Sequence, residues 1–392
     1  MKSQNIIDRR DFLSATAAAM GGVITLRAVP AASTASETPL PDGILPSDPL
    51  AHYWKKPVSC LIDVELPSEL SQESVQERHR IYALLLMALV ERFWNGNNNG
   101  PRGIYPFREN QKVPDQGSNP SCLRYKGDMN ESNDPLRVSW DRYLGHNIAC
   151  IAVDGKGEIL DFDFNHNIIF RSSAEHAESR MVRRLFSLSD LIDDWKPRQP
   201  IPKDSRLVAL KDVTIYTSLE SCAQCSGVMS LAGVKQVVYL QNDPGAYRIG
   251  NIMYNLAGNN SDGSPLAALP IPAPAIGLPY LQDLNRKYER FRDQQVEAKN
   301  KSDADHAYFR SCREKQEKVD PVYTTSITSF LCTDTALEVF RKGAGEFRSM
   351  TLKHEEFPNR EDVWTNRKCY DEACRFFEYA DVEGFRGSPH KL

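Results

Sequence analysis

Val213-Thr214-Ile215-Tyr216-Thr217 runs through Ser218-Leu219-Glu220-Ser221 into Cys222-Ala223-Gln224-Cys225, and this passage decides the fold. Its first five residues are β-branched and aromatic, which suits a strand. From Cys222 to residue 231 the pattern reads as a helix, and 234–240 is again apolar and β-branched. Upstream, 146–153 reads as a strand, Asp154-Gly155-Lys156-Gly157 as a hairpin turn, and 158–164 as the returning strand. Alternation along that strand puts Ile159, Asp161 and Asp163 on one face, and Leu160, Phe162 and Phe164 on the other. Residues 175–186 read as a helix. Helix, hairpin, helix, strand, helix, strand is the order of an α/β layered sheet.

Further out, 71–94 is a long helix in which Val75, Ile81, Leu84, Leu85, Ala88 and Leu89 recur near a 3.6 period. Ser71 and Ser74 are its candidate N-caps. Asn95-Gly96-Asn97 through Pro101 stops it, and the polar stretch that follows reads as an irregular insertion over 95–142. Residues 258–279 are rich in Gly and Pro and end the layered core. Leu281, Leu284, Tyr288 and Phe291 then mark an amphipathic helix whose remaining positions mix both charge signs. The run 326–340 is apolar, as helix or strand. The expected organisation is a signal segment over 1–35, a Pro-rich linker over 36–70, a layered domain over 71–257 and a largely helical C-terminal extension over 258–392.

The chain has 392 residues, 41% of them hydrophobic, which is enough to bury a core. Asp and Glu outnumber Lys and Arg, 52 to 48, so the basic surplus of a nucleic-acid coating protein is missing. Nine cysteines in a chain this long do not suggest a small disulfide scaffold. No stretch has the ~20 apolar residues that a spanning helix needs.

Two short pieces carry chemistry: Glu175-His176-Ala177-Glu178 and Cys222-Ala223-Gln224-Cys225. A catalytic zinc takes three protein ligands and keeps a fourth position open. Two cysteines three apart at a helix start share a face, and His176 supplies the third ligand. Both pieces open helices, whose free N–H groups and positive ends lower thiol pKa values and can face a developing oxyanion. Glu178, two residues past His176, suits a proton shuttle beside the metal.

These pieces, in this order and between these strands, resemble the cytidine deaminase superfamily, which includes cytidine, guanine and tRNA-adenosine deaminases. The resemblance spans about residues 71–255. It implies a three-layer α/β sandwich with a central mixed five-stranded sheet. It implies Zn2+ held by His176, Cys222 and Cys225, with Glu178 as the catalytic proton shuttle. Asn165 stands where many members keep an Asn that holds the substrate, and Asp243 matches a residue common near the end of the fourth strand. Ser221 replaces the family's usual Pro; as an N-cap it would open the helix instead. Arg180, Arg183 and Arg184 share a helix face that reads as solvated, Glu175 as a first-turn acid, His166 as a loop residue and Cys150 as core.

The implied activity is hydrolytic removal of an exocyclic amine from a nucleobase, nucleoside or nucleotide by attack of zinc-bound hydroxide. The competing readings are a deaminase of single-stranded nucleic acid, as a secreted effector or RNA editor, and a zinc-stabilised module without activity. A small-molecule substrate is favoured over nucleic acid on charge, and homo-oligomerisation is left open.

At the N-terminus, Asp8-Arg9-Arg10-Asp11-Phe12-Leu13 resembles a twin-arginine export signal, followed by an Ala/Gly-rich apolar run and a cleavage site near Ser33-Thr34-Ala35. This pattern implies a periplasmic or secreted protein. Replacing both Arg9 and Arg10 by Lys is expected to hold the precursor in the cytoplasm, as followed by immunoblotting of cell fractions. Wild-type protein found only in the cytoplasm with residues 1–35 intact would sink the export reading.

Overall fold

Five short strands form one sheet in the computed structural model, which describes residues 57–94, 146–167, 172–186, 210–260, 263–301, 325–331 and 333–383. They are β1 (Ala149–Val153), β2 (Ile159–Phe164), β3 (Thr214–Thr217), β4 (Gln236–Tyr239) and β5 (Leu269–Pro272). The order across the sheet is β2-β1-β3-β4-β5. β1 runs antiparallel to β2 and β3, while β3-β4 and β4-β5 are parallel, so the sheet is mixed. Helix α1 (Glu73–Arg92) covers one face, and α2 (Ala177–Leu185) and α3 (Ala223–Leu231) cover the other. This is the three-layer α/β sandwich that the sequence implies. Covered on both sides, β1 and β3 are buried at every residue, which suits the apolar run of β1 and the β-branched and aromatic residues of β3.

The alternation expected along β2 fails at one residue. Ala152 pairs with Asp161 and Val153 with Ile159, leaving Leu160 as a bulge. The extra residue resets the alternation. Ile159 joins Phe162 and Phe164 in the α1 layer, Leu160 joins the α2 and α3 layer, and Asp161 and Asp163 meet the arginines of α2.

The fifth strand lies beyond residue 257, inside the stretch expected to end the core. Pro270 and Pro272 disguise it, because proline is confined to edge strands and β5 is an edge among the described residues. The layered domain therefore extends past that boundary. On the N-terminal side, Leu61 and Leu70 are buried, so the expected 36–70 linker is packed structure from residue 57 onward. Asn251 and Asn255 of α4 (Ile249–Leu256) donate to the carbonyls of Ile62 and Leu61. Arg9, Arg10 and the expected insertion over 95–142 lie outside the described residues. Among those described, no helix is long and apolar enough to cross a membrane.

Helix α1 is more deeply buried than one apolar stripe requires: residues 81–90 are each at most 1% exposed. The sheet takes one side of it, and α6 (Asp334–Arg348) and α7 (Asn366–Glu383) take others. Gly343 permits the α6 contact, since a Cβ there would lie 2.3 Å from Met87 Sδ. Glu77 of α1 is buried and accepts the backbone N–H groups of Lys353 and His354 at 2.7 and 2.8 Å. The helix starts one residue after Ser71, at an uncapped Gln72; Ser71 Oγ instead donates to Ser68 O, and Ser74 lies inside the first turn. α5 (Tyr280–Lys301) buries Leu281, Leu284, Tyr288 and Phe291 as expected. Within the undecided 326–340 run the described elements are helices: Ser326 caps a single turn, Ile327–Phe330, and Thr333 caps α6.

The arginines of α2 do not form a solvated face. Arg184, its side chain 11% exposed, lies against Asp161 (Nε–Oδ2 2.6 Å) and the fully buried Asp163 (Nη1–Oδ2 2.9 Å). Arg180 bonds Asp163 at 3.1 Å and Glu175 at 2.5 Å, so Glu175 is an ion-pair partner as well as an acid beside the first turn. Only Arg183, with its side chain 69% exposed, fits the expectation. Burial pushes Asp163 up, but the charges of Arg184 and Arg180 outweigh it and hold the carboxyl below its ordinary value. Breaking a buried pair strands its partner, so Arg184→Met is expected to cost about 3–5 kcal/mol in urea unfolding. Arg183→Met is expected to cost under ~0.5 kcal/mol, as at an ordinary surface position. Equal effects would contradict the packing described.

Candidate metal centre and active site

His176 and Cys222 are the N-caps of α2 and α3, both in extended backbone, and neither side chain is spent on capping. The two helix starts come together on one face of the sheet. Cys222 Sγ lies 3.4 Å and Cys225 Sγ 3.6 Å from His176 Nδ1. The possible ligand atoms of the three residues all fall within 4.8 Å of one another. Zinc–sulfur and zinc–nitrogen bonds of ~2.3 and ~2.05 Å at a tetrahedral angle imply a sulfur–nitrogen edge of about 3.6 Å. The donor set therefore fits one zinc ion in both chemistry and spacing. The Cys222 thiol is pushed well below its ordinary range by the Cys225 thiol, the His176 imidazole and the Cys225 backbone N–H at the helix start. A thiol held this way is ready to bind a cation.

Glu178 lies in the first turn of α2, buried, beside the three ligands and outside their group. Its Oε1 accepts from the Thr217 hydroxyl at 2.8 Å, and its Oε2 lies 3.4 Å from Cys225 Sγ. Burial raises its pKa, against its own backbone N–H and Thr217, which lower it.

Asn165 is buried, and its Oδ1 accepts the Ala177 N–H at 2.8 Å, so that oxygen holds the start of α2. One of the expected oxyanion donors is thus spent: the Ala177 N–H is taken by Asn165. Asp243 forms a turn, its Oδ1 accepting Gly245 N–H at 2.8 Å, and Glu220 Oε2 accepts its backbone N–H at 3.0 Å. Its carboxyl is raised, first by burial and further by Cys222, with His176 opposing. Ser221 is not the N-cap; Cys222 is, and the buried Ser221 Oγ has no hydrogen-bond partner among the described residues. His166 is a loop residue as expected, but a buried one, with Nδ1 2.6 Å from Phe164 O. Cys150 is core, beside Met181 Sδ at 3.6 Å.

Two residues near the site escape a reading by motif. Thr217 is the last residue of β3, and nothing in a strand pattern marks its hydroxyl as a partner for Glu178. His146 is pushed down to about 4, first by burial and then by the charge of His176. The C-terminal extension also reaches this end of the sheet: Asn147 Nδ2 donates to Leu331 O at 2.9 Å, and Asn285 Oδ1 accepts Asn242 N–H at 3.2 Å.

Residues 133–241 match the family model described as the cytidine and deoxycytidylate deaminase zinc-binding region. The match takes in Asn165, His176, Glu178, Cys222 and Cys225, and stops just before Asp243. The chain thus carries a domain of the cytidine deaminase-like superfamily. A solved structure from work on A-to-I editing by tRNA:A34 deaminases at the wobble position of transfer RNA is similar at 18% identity. That similarity covers 32% of this chain and 82% of the other, with a TM-score of 0.23. No curated protein matches the chain.

Purified protein is expected to contain about one zinc per chain by elemental analysis, because three ligands and one open position make one site. Cys222→Ser and Cys225→Ser are each expected to lose the metal and lower the thermal midpoint, since such binding is coupled to folding. Unchanged zinc content in both variants would refute the ligand set.

Proposed function

We propose that the protein is a zinc-dependent hydrolytic deaminase that removes an exocyclic amine from a nucleobase, nucleoside or nucleotide. The observation that carries this reading is the place of Glu178: buried next to the three ligands, yet not one of them. A purely structural metal site has no use for such a carboxylate. Zinc, when bound, supplies an acidified water at its open position. Glu178 would take a proton from the attacking water and pass it to the ring nitrogen, then take the proton of the hydroxyl so added to the ring carbon and pass it to the departing amine. Ring amine and water thus become ring carbonyl and ammonia. His146, Asn165 and Asp243 are the residues proposed to contact the ring. The Arg9-Arg10 pair supports a site of action outside the cytoplasm.

One observation favours the second reading, deamination within single-stranded nucleic acid. Tyr247 and Arg248 follow Asp243 and adopt positive φ, 51° and 56°, with Tyr247 77% exposed. Strained backbone that displays an aromatic ring beside a cation is suited to stacking a neighbouring base.

Ammonia release from a panel of free bases, nucleosides, nucleotides and an unstructured oligonucleotide tests both readings. Turnover of the small amines is expected, and Glu178→Gln is expected to keep zinc and lose ~10²–10⁴-fold in kcat. Turnover of the oligonucleotide alone, collapsing with added salt and with Tyr247→Ala, would put the second reading first. Silence across the panel would leave a zinc-stabilised module.

A further inference from the structure

Thr217 stands at the end of β3, wholly buried, paired with Cys150 on one side and Tyr239 on the other. The two-residue period of the strand puts its side chain on the face where Ile215 packs under α2 and α3, while Tyr216 points into the α1 layer. An apolar residue would fill that position, as Ile215 does one step earlier. Instead there is a hydroxyl 2.8 Å from Glu178 Oε1. Leu219 O is also within reach, at 3.1 Å. The hydroxyl has one proton, and the shorter contact to a charged acceptor claims it, because hydrogen bonds to a carboxylate are the stronger kind.

This bond makes the two oxygens of Glu178 unequal. Oε1 is tied back to the sheet, while Oε2 is turned toward the ligands, 3.4 Å from Cys225 Sγ. A carboxylate free to rotate would present either oxygen at either angle. We propose that Thr217 is the positioning residue of the proton shuttle: its hydroxyl anchors Oε1, so that Oε2 alone faces the metal's open position. Among the described residues the Thr217 hydroxyl bonds Glu178 and the Leu219 carbonyl and none of the three metal-site residues, so its route to the site runs through Glu178. The anchor comes from β3, the strand that leads directly to Cys222, so shuttle and ligands share one rigid reference.

This inference rests on the deaminase reading, and its test separates the two. Full-length zinc-loaded Thr217→Val, Thr217→Ala and Thr217→Ser proteins are assayed with the amine that the wild type turns over best in the panel above, and their crystal structures are determined. Valine keeps the shape and removes the hydroxyl; alanine guards against a misfit of the second methyl; serine restores the donor. Misplacing a catalytic group can cost ~10²-fold, so kcat in the Val and Ala variants is expected to fall about 10- to 100-fold. KM is expected to stay within about twofold, the mark of an interaction that matters in the transition state alone. Thr217→Ser is expected to recover most of kcat, and the Val structure to show the Glu178 carboxylate rotated or split between conformers. Wild-type kcat in Thr217→Val, or no recovery in Thr217→Ser, would overturn the inference. If the wild type deaminates no panel member, the deaminase reading fails and the structures alone decide. A Glu178 carboxylate in the same place in Thr217→Val as in the wild type then overturns the inference as well.

Discussion

The site depends on where α2 begins. Asn165 Oδ1 takes the Ala177 N–H and so fixes the first turn. From that point His176 is the cap residue and Glu178 lies two residues on, so ligand and shuttle are set by one anchor. One turn further, Arg180 and Arg184 bind Asp163 and Asp161 of β2 and prevent the helix from sliding or rolling. A buried ion cluster is a weak source of net stability, because desolvation offsets most of its Coulomb energy. Its value here is geometric: the strand that precedes α2 also clamps it.

The second helix start is fixed by different means. Cys222 follows β3 by a few residues, and Glu220 N–H donates to Gln241 O at 2.7 Å, tying the approach to the loop after β4. The Glu220 carboxylate then takes the Asp243 N–H. Strand, helix start and rim loop are therefore one connected piece, and a movement of Asp243 would be felt at Cys222.

Much of this was legible in the residues, and the failures have identifiable causes. The ligand set could be read because metal chemistry tolerates few residue types at few spacings. β1, β3 and β4 could be read because strands covered on both faces are rich in apolar, β-branched and aromatic residues. The Leu160 bulge could not, since an extra residue leaves the alternation looking intact on each side of it. β5 could not, because Pro270 and Pro272 read as loop. The arginines of α2 share a face by period, but period is silent on Asp161 and Asp163 waiting on another element. Thr217 is invisible for the same reason: its partner lies 39 positions away. The all-round burial of α1 needed partners more than 240 residues downstream, which local pattern cannot supply.

The two prolines of β5 have a consequence for how molecules of this protein meet. Leu269 N–H is spent on Lys235 O, toward β4. Backbone groups alternate along a strand, so the nitrogens of Pro270 and Pro272 fall on the side turned away from β4. Proline has no N–H, and an incoming strand from a second molecule would find no donors at those positions. An open sheet edge is a template for runaway strand addition, the route by which folded sheets become insoluble. Here the outward donors are removed at the level of the covalent chain, so the protection holds even while the rest of the molecule is still assembling.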